Sequence, residues 1–266
     1  MLVLMVTGQL FLMQLNNREK KSNALSILLH GDGFSFCTPT HHHLYTFEKD
    51  NLTEKSLRSW IDYHQLKELN PTLIHFENEA VTVPEELFSE DNLVSYLTSS
   101  QKISEEEEQS FDPVKKTKQK VVYSISKEKK NLLKAIFPKA SSSHFVSSLL
   151  PDLATFSEGR VKKNLFIHLR NGYFDLFLYQ GSQLLIQNSF KQVNADEFLY
   201  YLFYVTEQFY LNPDQFDLYF LGEYDKYADY YTGVSIFHNA ITFLDSKQAQ
   251  RDPAHPIPYF HHYVSE

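Results

Sequence analysis

Apolar residues recur along this chain in two rhythms, every second residue in short runs and every third or fourth in longer ones. The first rhythm predicts strands and the second amphipathic helices. Residues 25–29 and 34–38 read as two strands around the turn His30-Gly31-Asp32-Gly33, and 43–47 as a third. Leu57, Trp60, Ile61 and His64 then fall on one helical face, with Thr53 placed to cap and Asn70-Pro71 to break. Residues 72–76 and the "AVTVP" run predict two more strands, and Pro84 opens a helical turn. A short helix follows through Leu93, Tyr96 and Leu97. The run 120–125 is a further strand. Ser126 caps a helix carrying Leu132, Leu133, Ile136 and Phe137, and Pro138 stops it. "SSHFV" predicts a strand, and 146–156 a helix.

The same order then returns. Residues 164–190 read as three strands joined by Asn171-Gly172 and Gly181-Ser182, and Asn-Gly between alternating apolar runs is a strong hairpin signal. Asn194, with Glu197 three residues on, marks a capping box. The helix it opens is so rich in Leu, Phe and Tyr that burial on more than one side is expected. Residues 216–222 are a strand, and 224–231 a helical stretch before short terminal strands. Each half therefore runs meander, helix, strand, helix, strand, which predicts an α/β protein with mixed sheets flanked by helices. The division expected is an N-terminal lobe over 1–158 and a C-terminal lobe over 159–266.

Composition narrows the function. With 42% hydrophobic and 15% aromatic residues the chain has material for a packed core, and its formal charge of −8 disfavours nucleic acid. Residues 101–118, with the run Glu105–Glu108 and the lysines Lys115, Lys116 and Lys118, read as an exposed charged loop. Cys37 is alone, so it forms no internal disulfide and no thiolate cluster. Neighbouring residues on a strand point to opposite faces, so His41-His42-His43 and His261-His262 make poor metal sites. The apolar run 1–17 is too short and too polar for a membrane span, although a membrane-surface role for residues 1–22 stays open. The expectation is a cytoplasmic protein without a transmembrane segment. Ser/His/Asp chemistry finds no G-x-S-x-G here.

The doubled meander–helix–strand order resembles the ribonuclease-H-like lobes of the actin-like ATPase superfamily, which includes sugar kinases, heat-shock chaperones and pilus-assembly proteins. More narrowly, "LSILLHGDGFSFC", "VPEELFSEDNLVSYL", "NGYFDLFLYQGSQLL", "DEFLYYLFYVTEQFYLNPD" and "LYFLGE" resemble a family of uncharacterised bacterial proteins, a domain of unknown function with that fold. The resemblance runs from about residue 24 to the C-terminus. It implies that Asp32 and Gly33, and then Arg170, Gly172 and Asp175, stand where the two phosphate hairpins of an ATP cleft would stand. Gly222 stands at the adenosine-contacting position.

The superfamily places a carboxylate two residues before the hairpin glycine, to organise a divalent metal. Here Arg170 occupies that place before Gly172, with His168 in the alternative register. Gly31 or Leu29 occupies it in the first hairpin. Tyr173 replaces a phosphate-contacting Thr, and Glu223 follows Gly222. The reading is a non-catalytic pseudo-ATPase with a vestigial nucleotide cleft, no cofactor, no metal and an unknown protein partner. Tyrosine-rich segments 198–210 and 224–231 supply either core or binding surface. The alternatives are an actin-like ATPase or kinase-like enzyme using ATP and Mg²⁺ through altered ligands, and a membrane-associated assembly protein similar to pilus-platform components.

Overall fold

Strand parity governs both large sheets. The computed structural model describes residues 26–29, 33–38, 41–46, 53–63, 71–75, 79–98, 103–170, 172–191, 194–222, 227–238 and 241–244. The chain divides into two units. The first holds the described residues of Met1–Glu77 together with Ile125–Ser143, and the second starts with Asn78–Ser124 and resumes at His144.

In the first unit, β1 (Ser26–Leu29), β2 (Gly33–Thr38) and β3 (His41–Thr46) form an antiparallel meander. After α1 (Glu54–Tyr63), strand β4 (Thr72–His75) returns parallel to β1, with Ile27 opposite Leu73. The intervening segment, described with the second unit, contains β5 (Ala80–Pro84), α2 (Leu93–Thr98), β6 (Glu107–Val114) and β7 (Gln119–Ser126). The chain then re-enters as α3 (Lys127–Ile136) and β8 (Ser141–His144), completing the order β3-β2-β1-β4-β8. Ser126 does cap α3, accepting from the Lys129 amide. Ile27, Leu29, Leu57, Ile61, Leu73, Leu133 and Phe137 form its core, so the apolar faces of α1 and α3 both meet the sheet.

The second unit repeats that order. After α4 (Phe145–Ser157), β9 (Lys163–Arg170), β10 (Tyr173–Gln180) and β11 (Gln183–Lys191) form a meander. Following α5 (Ala195–Gln208), β12 (Phe216–Gly222) runs parallel to β9; after α6 (Ala228–Ser235), β13 (Ile241–Phe243) runs parallel to β12. The order is β11-β10-β9-β12-β13, the same arrangement as in the first unit. Gly172 and Gly181 turn the two hairpins at φ 72° and 54°, a region that L side chains enter at a cost.

Both faces of this sheet are buried. Leu165, Ile167 and Leu169 of β9 and Phe174, Leu176 and Leu178 of β10 face Phe198, Leu202 and Val205 of α5. On the opposite parity, Phe166 and Tyr219 stack on each other and meet Phe156 of α4 edge-on, and the Tyr179 hydroxyl donates to the Leu150 carbonyl at 3.0 Å. Alternation of apolar residues on both parities explains why these strands read as nearly continuous hydrophobic runs.

Two expectations need correction. The segment 101–118 is not a simple loop, because Glu107–Val114 is a strand of the sheet β5-β7-β6. Glu108 is exposed, whereas Asp112 is drawn inward by Tyr123, Ser147 and the His144 amide, Val114 is buried and Phe111 packs beside Val83 and Val122. Helix α5 is buried along one stripe only: Tyr200 and Tyr204 are exposed. Asn194 caps it as expected, accepting from the Glu197 amide at 2.9 Å. Residues 1–22, Asp32 and His261-His262 lie outside the described residues.

His75 carries a pH dependence. Its Nε2 lies 2.6 Å from Ser142 Oγ, and burial, then Lys129 and Lys130, lower its pKa to about 4. A folded pKa below the ordinary 6.5 means stability present above pH 6.5 and lost progressively as the pH falls toward 4. That loss is on the order of 3 kcal/mol. Thermal melts of His75→Gln between pH 7 and 4 should fall less steeply than wild type; parallel curves would refute this assignment.

Candidate functional site

Register brings the candidate residues of the second hairpin onto one face. Asp175 pairs with His168 across β9–β10 and with Ser189 across β10–β11; Tyr173 pairs with Arg170 and Lys191. Directly opposed residues share a face. All of these point to the side of the sheet covered by α4, whose Phe145 ring lies 5.5 Å from the His168 ring.

Asp175 has 0% exposure, and every acceptor direction of its carboxylate is used. Arg170 grips it with both prongs, Nε donating to Oδ2 at 2.8 Å and Nη2 to Oδ1 at 3.1 Å. Nδ1 of His168 lies 3.1 Å from Oδ2, and Ser189 Oγ donates to Oδ1 at 2.6 Å. Two oxygens with four donors match the capacity of an ionised carboxylate. Desolvation is the largest single influence and pushes the pKa up. Against it, the Arg170 charge and the His168 and Arg170 hydrogen bonds together hold it far below the ordinary carboxylate range.

The guanidinium is itself held. It lies 4.6 Å from the centre of the Tyr173 ring and 5.4 Å from that of Phe145, within cation–π range of both. Its side chain is only 10% exposed. At the edge of this cluster sits Glu79, a buried carboxylate 3.8 Å from Lys191 Nζ. Desolvation raises its pKa, opposed by Lys191 and Arg170 and reinforced by Asp175.

The other candidates are placed more loosely. Gly172 turns the hairpin between Arg170 and Tyr173. Gly222 ends β12 in register with Leu169, one residue from Arg170. Gly33 begins β2 in the first unit. Ser189, Lys191 and Glu79 were not singled out from sequence. The first two share the parity of Asp175 once the hairpin register is known, whereas nothing local marks Glu79. Among the described residues no three or more His, Cys, Asp or Glu side chains gather as a metal-binding group. None of the described helices is long and apolar enough to cross a membrane.

Two sheets of one strand order, each with a meander followed by parallel strands across helices, define the actin-like ATPase fold. A Bacteroides thetaiotaomicron protein described as having an actin-like ATPase fold and unknown function shares it at a TM-score of 0.76 and 19% identity, covering 91% of this chain and 95% of that one. A chain of a PilM–PilN type IV pilus biogenesis complex shares it at 0.54 and 11% identity, covering 92% and 97%. The chain belongs to the family described as Protein of unknown function (DUF3822), whose model matches residues 13–241. No curated protein matches it.

The buried pair sets two expectations. Arg170→Met strands Asp175 without its main cation and should cost about 3–5 kcal/mol in denaturant unfolding, with Asp175→Asn in the same background restoring part of the loss. Additive losses would show that the pair is not coupled. Glu79 has the opposite sign: a raised folded pKa means its contribution is present below pH 4.5 and lost as the pH rises through the folded value. Glu79→Gln should therefore stabilise the protein at pH 7 and leave it unchanged well below pH 4.5, read from melts at both pH values. A loss at pH 7 would instead mark the pair with Lys191 as net stabilising; that lysine is 71% exposed and screened.

Proposed function

We propose that this protein is a non-catalytic member of the actin-like ATPase superfamily that acts by binding another protein. The observation that carries the reading is the saturation of Asp175. Metal chemistry at a phosphate hairpin needs a carboxylate with lone pairs turned toward the ion or its waters. Here the four donors from Arg170, His168 and Ser189 take them. The residues of the second hairpin therefore do not fit Mg²⁺. Arg170, Gly172, Asp175 and Gly222 are read as the remains of a nucleotide cleft, with Asp32 and Gly33 as their counterparts in the first hairpin.

Protein binding as the output draws support from the pilus biogenesis complex, where a chain of this architecture is described as part of an assembly. An assembly role is the narrower form of this reading, and a cytoplasmic location goes with it. The competing reading is a nucleotide-binding enzyme with altered metal ligands.

Calorimetric titration of the full chain with ATP, with and without Mg²⁺, separates the two. The expected result is no saturable, metal-dependent heat and no shift in melting temperature. Micromolar binding that requires Mg²⁺ would overturn the non-catalytic reading.

A further inference from the structure

Helix α5 buries Phe198, Leu202 and Val205, and its opposite face carries Tyr200 and Tyr204, 65% and 51% exposed and one turn apart. Phe203 extends this face to α6, packing edge-on at 4.6 Å against Phe237, itself 53% exposed beside Ile236 at 73%. The two helices approach closely at Gly233, where a Cβ would come within 2.8 Å of Leu199 Cδ1. The aromatic surface is thus continuous across both helices. Large aromatic groups left in water at this density mark an interaction surface.

The charge on the two helices has one sign, and Lys163 approaches only past the end of α5, at the Phe209 carbonyl. Asp196 lies one turn before Tyr200, Glu207 one turn after Phe203, and Asp229 in the first turn of α6, and all three are exposed. Neither helix contains a lysine or arginine. From 195 to 245 the sequence holds nine carboxylates and one cation, Lys226. Just past α5, Tyr210 takes φ 51° with its side chain 87% exposed. Glycine is the low-cost residue for that backbone, yet a third exposed tyrosine stands there beside Tyr200 and Tyr204 at the end of the same helix.

We propose that the outer face of α5 and α6 docks a cationic amphipathic segment of another protein, its apolar side chains on Tyr200, Phe203, Tyr204 and Phe237 and its arginines or lysines against Asp196, Glu207 and Asp229. Tyrosine faces attract such cations, and the carboxylates set their register. Charge selects this occupant over two others. A second copy would bring the same acidic face against itself, since a twofold interface pairs identical patches. An anionic lipid surface would be repelled for the same reason. The inference rests on the protein-binding reading above and specifies its surface.

The test uses the full chain and an amphipathic helical peptide about 18 residues long, with leucines on one face flanked by arginines. A sister peptide carries glutamates in their place. By fluorescence anisotropy the arginine peptide should bind at least about tenfold more tightly than its sister, and less tightly as salt is raised. Tyr200→Ser with Tyr204→Ser should weaken it at least about tenfold while leaving the melting temperature close to wild type, because both rings are exposed. Asp196→Lys with Glu207→Lys should reverse the preference between the peptides. Absent or equal binding of the two peptides would overturn the proposal, as would indifference to these variants. So would co-sedimentation with phosphatidylserine vesicles, or a wild-type dimer that the tyrosine variants dissolve. The two readings fail separately. Mg²⁺-dependent ATP binding sinks the non-catalytic reading whatever the peptides do, and peptide indifference without ATP binding sinks only this surface.

Discussion

A carboxylate withdrawn wholly from water must be paired, or its desolvation cost falls on the whole unit. Asp175 of β10 meets that constraint with a bidentate arginine and a histidine from β9 and a serine from β11. Because each donor comes from a different strand position, the network also pins register. A one-residue slip would send Asp175 to the α5 face, among Leu169, Phe198 and Leu202, with no cation in reach. The surrounding rings of Phe145 and Tyr173 keep water from the guanidinium, which strengthens the pair and makes it less tolerant of losing one member.

Much of this was legible in the residues, for physical reasons that differ by element. The second meander was readable because β9 and β10, buried on both faces, give compact apolar runs, and Asn171-Gly172 and Gly181-Ser182 punctuate it. The caps at Ser126 and Asn194 were readable because a side-chain oxygen at a helix start has one main use. Strand Glu107–Val114 was hidden by its composition: Glu107, Glu108, Asp112 and Pro113 all argue against a strand. What overrides them is tertiary. Asp112 accepts from Tyr123, from Ser147 and from the His144 amide at the start of α4, so a residue that reads as loop is held inside. Burial pushes its carboxyl upward and those bonds pull it back.

The site was legible in part. Arg170 and Asp175 could be named, but their bond could not. Sequence places them five apart, and only the antiparallel register across Gly172 turns that separation into a fork and a carboxylate on the same face. Helix α5 shows the converse limit. Its aromatic content suggested burial on more than one side, yet a tyrosine hydroxyl tolerates water, so composition alone does not say which rings face the core. Spacing does better: Phe198, Leu202 and Val205 define a buried stripe, and Tyr200 and Tyr204 fall opposite it.

A tethered guanidinium and a metal ion satisfy a buried carboxylate in different ways. A metal dissociates, exchanges its waters and answers to its concentration in solution. Arg170 does none of these, because it is part of the chain. On the reading proposed above, the electrostatics of this hairpin are therefore constant, and the fold carries no equilibrium for a nucleotide to shift. Any selectivity must then reside where charge and apolar area remain unpaired with solvent-facing geometry. The outer face of α5 and α6 has both, in one sign of charge and one class of ring. On these proposals, a scaffold that holds its own cation inside recognises other cations at its surface.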